Sequence, residues 1–247
     1  MKKACQYFFI SIFLFFSNSY ADEIHGVASI ALQGTNEIIK NFEKQSGIKV
    51  YVEWLPSVDI TKKLANGDKM DFVFYPSKPV QDFIKKGTLL ADGQAEIVQS
   101  GIGIGVPKSS KQENINTSTD FKNALLKAQT IIYATGPSGD HIESVIRQLG
   151  IEENIKNKIK ISSGFVGKDI EKGDGDIGFQ QIPEILLVPG IKLLGPLPKE
   201  LQKMAPFTIA AHSSTKNLIN TLSLVSYLKQ KDLVPEYKKC GLEPIIN

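Results

Sequence analysis

Three serines and two glutamines stand where side-chain chemistry is easiest to build. Ser29, Ser57 and Ser138 each follow an apolar or proline-containing run and open a helical pattern. They fall in three of four segments that share one design: Ala28-Ser29, Pro56-Ser57-Val58, Gly136-Pro137-Ser138-Gly139 and Phe165-Val166-Gly167. In each, a strand ends and a helix begins. A helix start has unpaired N–H groups and a partial positive charge, so it holds an anion without any side-chain cation. Serine is also a favoured N-cap, and each hydroxyl taken alone is explained by capping its own helix. Four such starts, spread over both halves of the chain, favour binding. Gln180 and Gln181 close the short run Ile177-Gly178-Phe179. Ligands in open α/β sheets sit beyond the carboxyl ends of strands, so two uncharged amides there suit a binding position; spacing alone allows a solvated turn equally well.

Ionisable candidates are fewer. His141 falls in the first turn of the helix after Gly139, where a neutral imidazole is preferred, and Glu143 follows two residues later. Glu184 lies four residues past Gln180. Each of the three could move a proton, and each has a plainer role as a helix-start or surface residue. His25 and His212 show no metal-ligand spacing, so neither a metal nor a cofactor is expected. Gly101-Ile102-Gly103-Ile104-Gly105 has the wrong spacing for a dinucleotide loop, and no Gly-x-Ser-x-Gly elbow occurs. Arg147 is the single arginine. A bound anion therefore cannot rely on a cluster of guanidinium forks.

The elements that must position these residues alternate along the chain. Strand-like runs at Ile24–Ser29, Ile48–Trp54 and Phe72–Tyr75 interleave with helical ones at Leu32–Gln45, Ser57–Asn66 and Val80–Lys86. An extended, glycine-rich run spans Ile97–Val106, and a polar connection covers Lys108–Thr119. The alternation then restarts: helices at Phe121–Lys127, Gly139–Leu149 and Gly167–Lys172, strands at Thr130–Ala134, Ile159–Ile161 and Ile177–Phe179. After Pro183–Val188 and Ile191–Leu194 come a strand at Phe207–Ala211 and closing helices at Leu218–Lys229 and Val234–Lys239. Repeated β-α-β units predict an α/β fold of mostly parallel sheets flanked by helices. Two runs of units predict two lobes with a cleft between them. The first lobe is discontinuous, residues 22–106 and 205–247; the second is 107–204.

The first 21 residues read as an export leader. Lys2 and Lys3 precede an apolar run through Phe16, and Ser19-Tyr20-Ala21 gives a small-x-small pattern that places cleavage after Ala21. A periplasmic, soluble mature chain is the expectation. Cys5 leaves with the leader, so Cys240 has no partner for a disulfide. The whole chain has a formal charge of +3, and losing Lys2 and Lys3 brings it close to neutral. Such a balance argues against nucleic acid or an anionic membrane as partner.

In order and layout, Ala28-Ser29-Ile30, Phe42-Glu43-Lys44-Gln45-Ser46-Gly47-Ile48-Lys49-Val50, Asp71-Phe72-Val73-Phe74, Gly105-Val106-Pro107-Lys108 and Gly241-Leu242-Glu243-Pro244 resemble the type 2 periplasmic substrate-binding proteins. Within these the chain is similar to the molybdate-binding proteins of ABC importers. The resemblance implies a two-lobed fold, a small anionic ligand, an inner-membrane permease as partner and a monomeric state. It places ligand contacts at Ser29 and Ser57 from one lobe, and near Ser138, Gly139 and Val166 from the other. A tyrosine of that family aligns close to Gln180, where this chain has none. Leu149-Gly150-Ile151-Glu152-Glu153, Gly178-Phe179-Gln180-Gln181-Ile182 and Gly195-Pro196-Leu197-Pro198 look closer to a divergent branch that includes periplasmic aconitate isomerase. That branch implies an alternative activity, a proton shift between trans- and cis-aconitate, with His141, Glu143 and Glu184 as candidates to move the proton.

Overall fold

The computed structural model describes residues 22–111, 115–162 and 164–245; the expected leader lies outside them. The first sheet begins with β1 (Glu23–Ser29), β2 (Lys49–Leu55), β3 (Phe72–Pro76) and β4 (Leu89–Ser100), linked by α1 (Asn36–Ser46), α2 (Ser57–Asn66) and α3 (Ser77–Lys85). The second sheet holds β5 (Ile102–Pro107), β6 (Ile131–Ala134), β7 (Ile159–Ser162), β8 (Ile177–Gln181) and β9 (Ile191–Pro196). Its helices are α4 (Ser118–Lys127), α5 (Pro137–Gln148), α6 (Glu152–Ile155), α7 (Val166–Glu171) and α8 (Ile182–Leu186). The chain then returns to the first sheet as β10 (Ala205–His212), α9 (Leu218–Leu228), α10 (Val234–Lys239) and β11 (Glu243–Pro244).

Strand order is β11-β4-β10-β3-β1-β2 in one sheet and β7-β6-β8-β5-β9 in the other. The β-α-β strands pair in parallel, β2-β1-β3 and β7-β6-β8. β10 runs antiparallel to β3 and β4, and β5 antiparallel to β8 and β9. The sheets are therefore mixed, where the sequence pattern predicts mostly parallel ones. The reason is the route of the chain. It leaves each sheet at the edge where the parallel strands end, and enters the other sheet through that same edge, so the entering strand must run against them. The extended run expected over Ile97–Val106 is broken at Gly101, and strand pairing in the second sheet starts at Ile102.

Both faces of each sheet are covered, as buried parallel strands require. On the first sheet, Phe72, Phe74 and Ile209 pack with α1 and α9, while Val73 and Tyr75 pack with Ile60 of α2 and Val80 of α3. On the second, Tyr133 and Phe179 pack with Phe121 and Ile142, while Ile132 packs with Val166, Ile170 and Ile185. The helical pattern expected over Leu32–Gln45 is split: a 3₁₀ turn covers Ile30–Thr35, and the α-helix begins at Asn36. The tight turn lets Ser29 cap it by accepting from Ala31 N–H at 3.3 Å. The strand expected over Ile177–Phe179 also runs longer. β8 runs through Gln180 and Gln181, both buried, so neither is a loop residue.

Candidate functional site

Because three strands of each sheet run parallel, their carboxyl ends gather along one edge per sheet, and the two edges face each other across a cavity of about 120 Å³. From the first sheet come Ser29 at the end of β1, Ser57 after β2 and Pro76 closing β3. From the second come Ser138 after β6, Gly164 after β7, and Gln180 with Gln181 ending β8. Phe207 of β10, fully buried, adds an apolar surface to the floor. Every parallel strand thus delivers its carboxyl end to one place, as expected of a ligand site in an open α/β sheet.

Each helix start has a local cause. Pro56 caps α2 in extended conformation, with φ −57° and ψ 145°. The first backbone bonds of that helix run from Asp59 and Ile60 N–H back to Pro56 O, which leaves Ser57 and Val58 N–H outside the ladder. Ser57 takes the first helical position rather than the cap, and it lines the cavity. At α5, Gly136 has φ 104°, a conformation costly for any side chain, and Pro137 takes the first helical position, where its missing N–H costs nothing. Asp140 N–H bonds Gly136 O at 2.9 Å, leaving Ser138 and Gly139 N–H outside the ladder. Gly139 is packed so closely on the Ala134 carbonyl that a Cβ has no room. Ser29 differs from the other two serines, since it both caps its turn and lines the cavity.

On the opposite side the groups are held by one another. Period-2 alternation along β8 sends Gln180 and Gln181 to opposite faces. Gln180 Nε2 donates to Glu184 Oε1 at 3.0 Å and to Gly164 O at 3.3 Å. Gln181 N–H donates to Glu184 Oε2 at 3.3 Å, and its side chain completes a reciprocal cap on α8. With its amide oriented to satisfy both ends, Gln181 also donates to Ser100 O at 3.1 Å. Glu184 is buried, with a carboxyl surrounded by neutral groups. Burial pushes its pKa up to about 8, against the smaller opposing pull of the Gln181 N–H and the Gln180 amide. It is the one ionisable acid or base among the residues lining the cavity.

Of the residues singled out from sequence, Ser29, Ser57, Ser138, Gln180, Gln181 and Glu184 meet at this cavity. Gly139 and Val166 do not line it: Gly139 is buried under Ala134, and Val166 packs in the core beside Ile132 and Ile170. His141 and Glu143 are directed elsewhere. The His141 ring bonds Leu201 O at 2.7 Å, while Glu143 accepts from Tyr133 OH at 3.4 Å and pairs with Arg147 at 3.8 Å. Sequence reasoning missed Thr135, Gly164 and Phe207. Thr135, a small polar residue before a helix start, had the same signal as the serines. Gly164 acts through its carbonyl and Phe207 through its shape, and neither leaves a mark in residue type.

The family profile of bacterial extracellular solute-binding proteins matches residues 33–243. The chain belongs to that family. An aconitate isomerase from a Pseudomonas species is 26% identical over 227 residues, which cover 89% of this chain and 87% of that protein. Among solved structures, the periplasmic molybdate-binding protein of Azotobacter vinelandii superposes with a TM-score of 0.75 at 17% identity, covering 89% of this chain and 98% of that one. The sulfate-binding protein of Mycobacterium tuberculosis superposes with a TM-score of 0.73 at 15% identity over 91% and 87%. The substrate-binding domain of a molybdenum transporter from Clostridium difficile gives 0.70 at 14% over 90% and 99%. These likenesses establish the two-lobed type 2 binding-protein fold.

Proposed function

We propose that this chain is an exported receptor that closes its two lobes around a small anion, an oxyanion or a small carboxylate, and passes it to a membrane permease of an importer. The lobes are built on the two sheets, with crossings at Gly101 and at 202–204. Ser29 and Ser57 grip the anion from the first lobe, Ser138 and the α5 start from the second. The observation that carries the reading is the convergence of helix starts and hydroxyls on a cavity lined by no cation. Oriented N–H groups in a closed, water-poor cleft stabilise an anion without the desolvation cost of burying lysine. Thermal melting of the mature chain against molybdate, tungstate, sulfate and small di- and tricarboxylates tests it. A ligand at about 100 times its Kd stabilises by about 2.7 kcal/mol, a shift easily seen. No shift with any anion refutes the reading.

Glu184 favours a second reading, an aconitate isomerase-like proton shift on the same scaffold. A carboxyl at the cleft with a pKa near 8 suits a group that removes a proton from one allylic carbon and returns it to another. The Pseudomonas relative supports that reaction. Proton NMR of trans-aconitate in deuterated buffer would show cis product and solvent deuterium, both lost in Glu184→Gln. An unchanged spectrum at high protein concentration removes the reading.

A further inference from the structure

The two sides of the cleft offer a ligand different things. The helix starts and serines are donors. Gln180 is an acceptor with nothing to accept: 3% exposed, it lines the cavity, and its Oε1 has no hydrogen-bond partner among the described residues. Its orientation is fixed by chemistry. Exchanging O and N would set Oε1 against the Gly164 carbonyl, which can only accept, and would deprive that carbonyl of the N–H it now receives at 3.3 Å. A buried carbonyl oxygen without a donor costs free energy, and a ligand hydrogen delivered to it recovers that cost.

We infer that the ligand of this cleft is a hydroxy acid, an organic anion whose hydroxyl donates to Gln180 Oε1 while its carboxylate meets the helix starts and serines opposite. The inference rests on the anion reading above and narrows it. A fully deprotonated tetrahedral oxyanion has only acceptors, so it would leave Gln180 Oε1 unpaired and facing more negative charge. A carboxylate without a hydroxyl has the same defect. An ammonium donor would call for an ionised carboxylate beside it, and burial holds Glu184 largely neutral near pH 7. A hydroxyl meets the acceptor without that requirement.

Isothermal titration of the mature wild-type protein with matched pairs tests this: D- and L-malate against succinate, and citrate against tricarballylate, with trans-aconitate, sulfate and molybdate alongside. Sites built to pair a ligand hydroxyl reject the analogue lacking it. The expected result is one hydroxy acid binding at least about tenfold more tightly than its deoxy partner. Deoxy partners binding equally well, or trans-aconitate, sulfate or molybdate binding more tightly, overturns the inference and leaves the anion reading standing. Binding of none of them overturns both. In Gln180→Met the hydroxy acid's advantage should fall to within about twofold while the deoxy partner's affinity holds; a retained advantage overturns the role of Gln180. Should that variant fail to fold, the wild-type pairs decide alone.

Discussion

At the first wall of the cleft, Ser29 and Ser57 stand beside backbone amides that the helices leave unpaired; at the second, Gln180, Gln181 and Glu184 bond to one another. The same architecture makes both, a parallel strand running into a helix. The first wall draws its chemistry from the backbone and needs side chains only to extend it. The second depends on one buried carboxyl and the amides that hold it. Backbone sites are therefore sensitive to geometry, and the side-chain site to protonation. The α5 start, with Ser138, applies the first principle on the second lobe.

The largest expected effect strikes geometry. In Gly139→Ala the new methyl collides with the Ala134 carbonyl, a backbone atom that cannot move aside. A loss of about 2–4 kcal/mol in urea unfolding is expected, with anion binding abolished. Wild-type stability would show that the α5 start tolerates displacement, and the backbone half of the comparison would fail.

Protonation is tested next. Below pH 8 Glu184 is largely neutral and tolerates an anion nearby; above it the ionised carboxylate opposes binding. Anion affinity should fall by about tenfold per pH unit above pH 8, and Glu184→Gln should remove that fall. Stability gives an independent check on sign. The folded pKa lies above the unfolded value, so the contribution is fully present below the unfolded pKa near 4.5 and is lost as pH rises through about 8. Urea unfolding of Glu184→Gln should lack that decline. Matching pH profiles for variant and wild type would show that the carboxyl does not govern this wall.

Within the first wall, the two serines should separate. Ser57→Ala removes a hydroxyl that caps nothing, so affinity should drop about tenfold while stability stays within about 0.5 kcal/mol. Ser29→Ala also removes the cap on Ala31 N–H, adding about 1 kcal/mol of lost stability. Identical melting temperatures for the two variants would break the distinction. The smallest effects belong to His141→Asn and Glu143→Gln, which should leave anion affinity within about twofold, because both side chains bond away from the cavity.

Much of this was legible in the sequence because it depends on local chemistry. The helix over Ser57–Asn66 has the bounds its apolar spacing and following glycine predict. The three serines could be found from the strand-to-helix transition alone. What escaped depends on tertiary partners. β8 extends through two glutamines because Glu184, Gly164 and Ser100 accept from their side-chain N–H groups, and polar residue types hide a buried strand end. Mixed strand direction follows from where the chain crosses between sheets, which no periodicity records. His141 and Glu143 had the right types, but the orientation of α5 turns them away.

The central claim is that the anion sits on the helix starts of both lobes at once. Two-dimensional ¹H–¹⁵N NMR during titration with the tightest anion of the melting series tests it most directly. The account predicts that the backbone amides of Ser57, Val58, Ser138 and Gly139 shift together and saturate with a single Kd, while those of Tyr51 and Lys69, which do not line the cavity, stay in place. Saturable binding with these four amides unmoved, or with only one lobe responding, would contradict it.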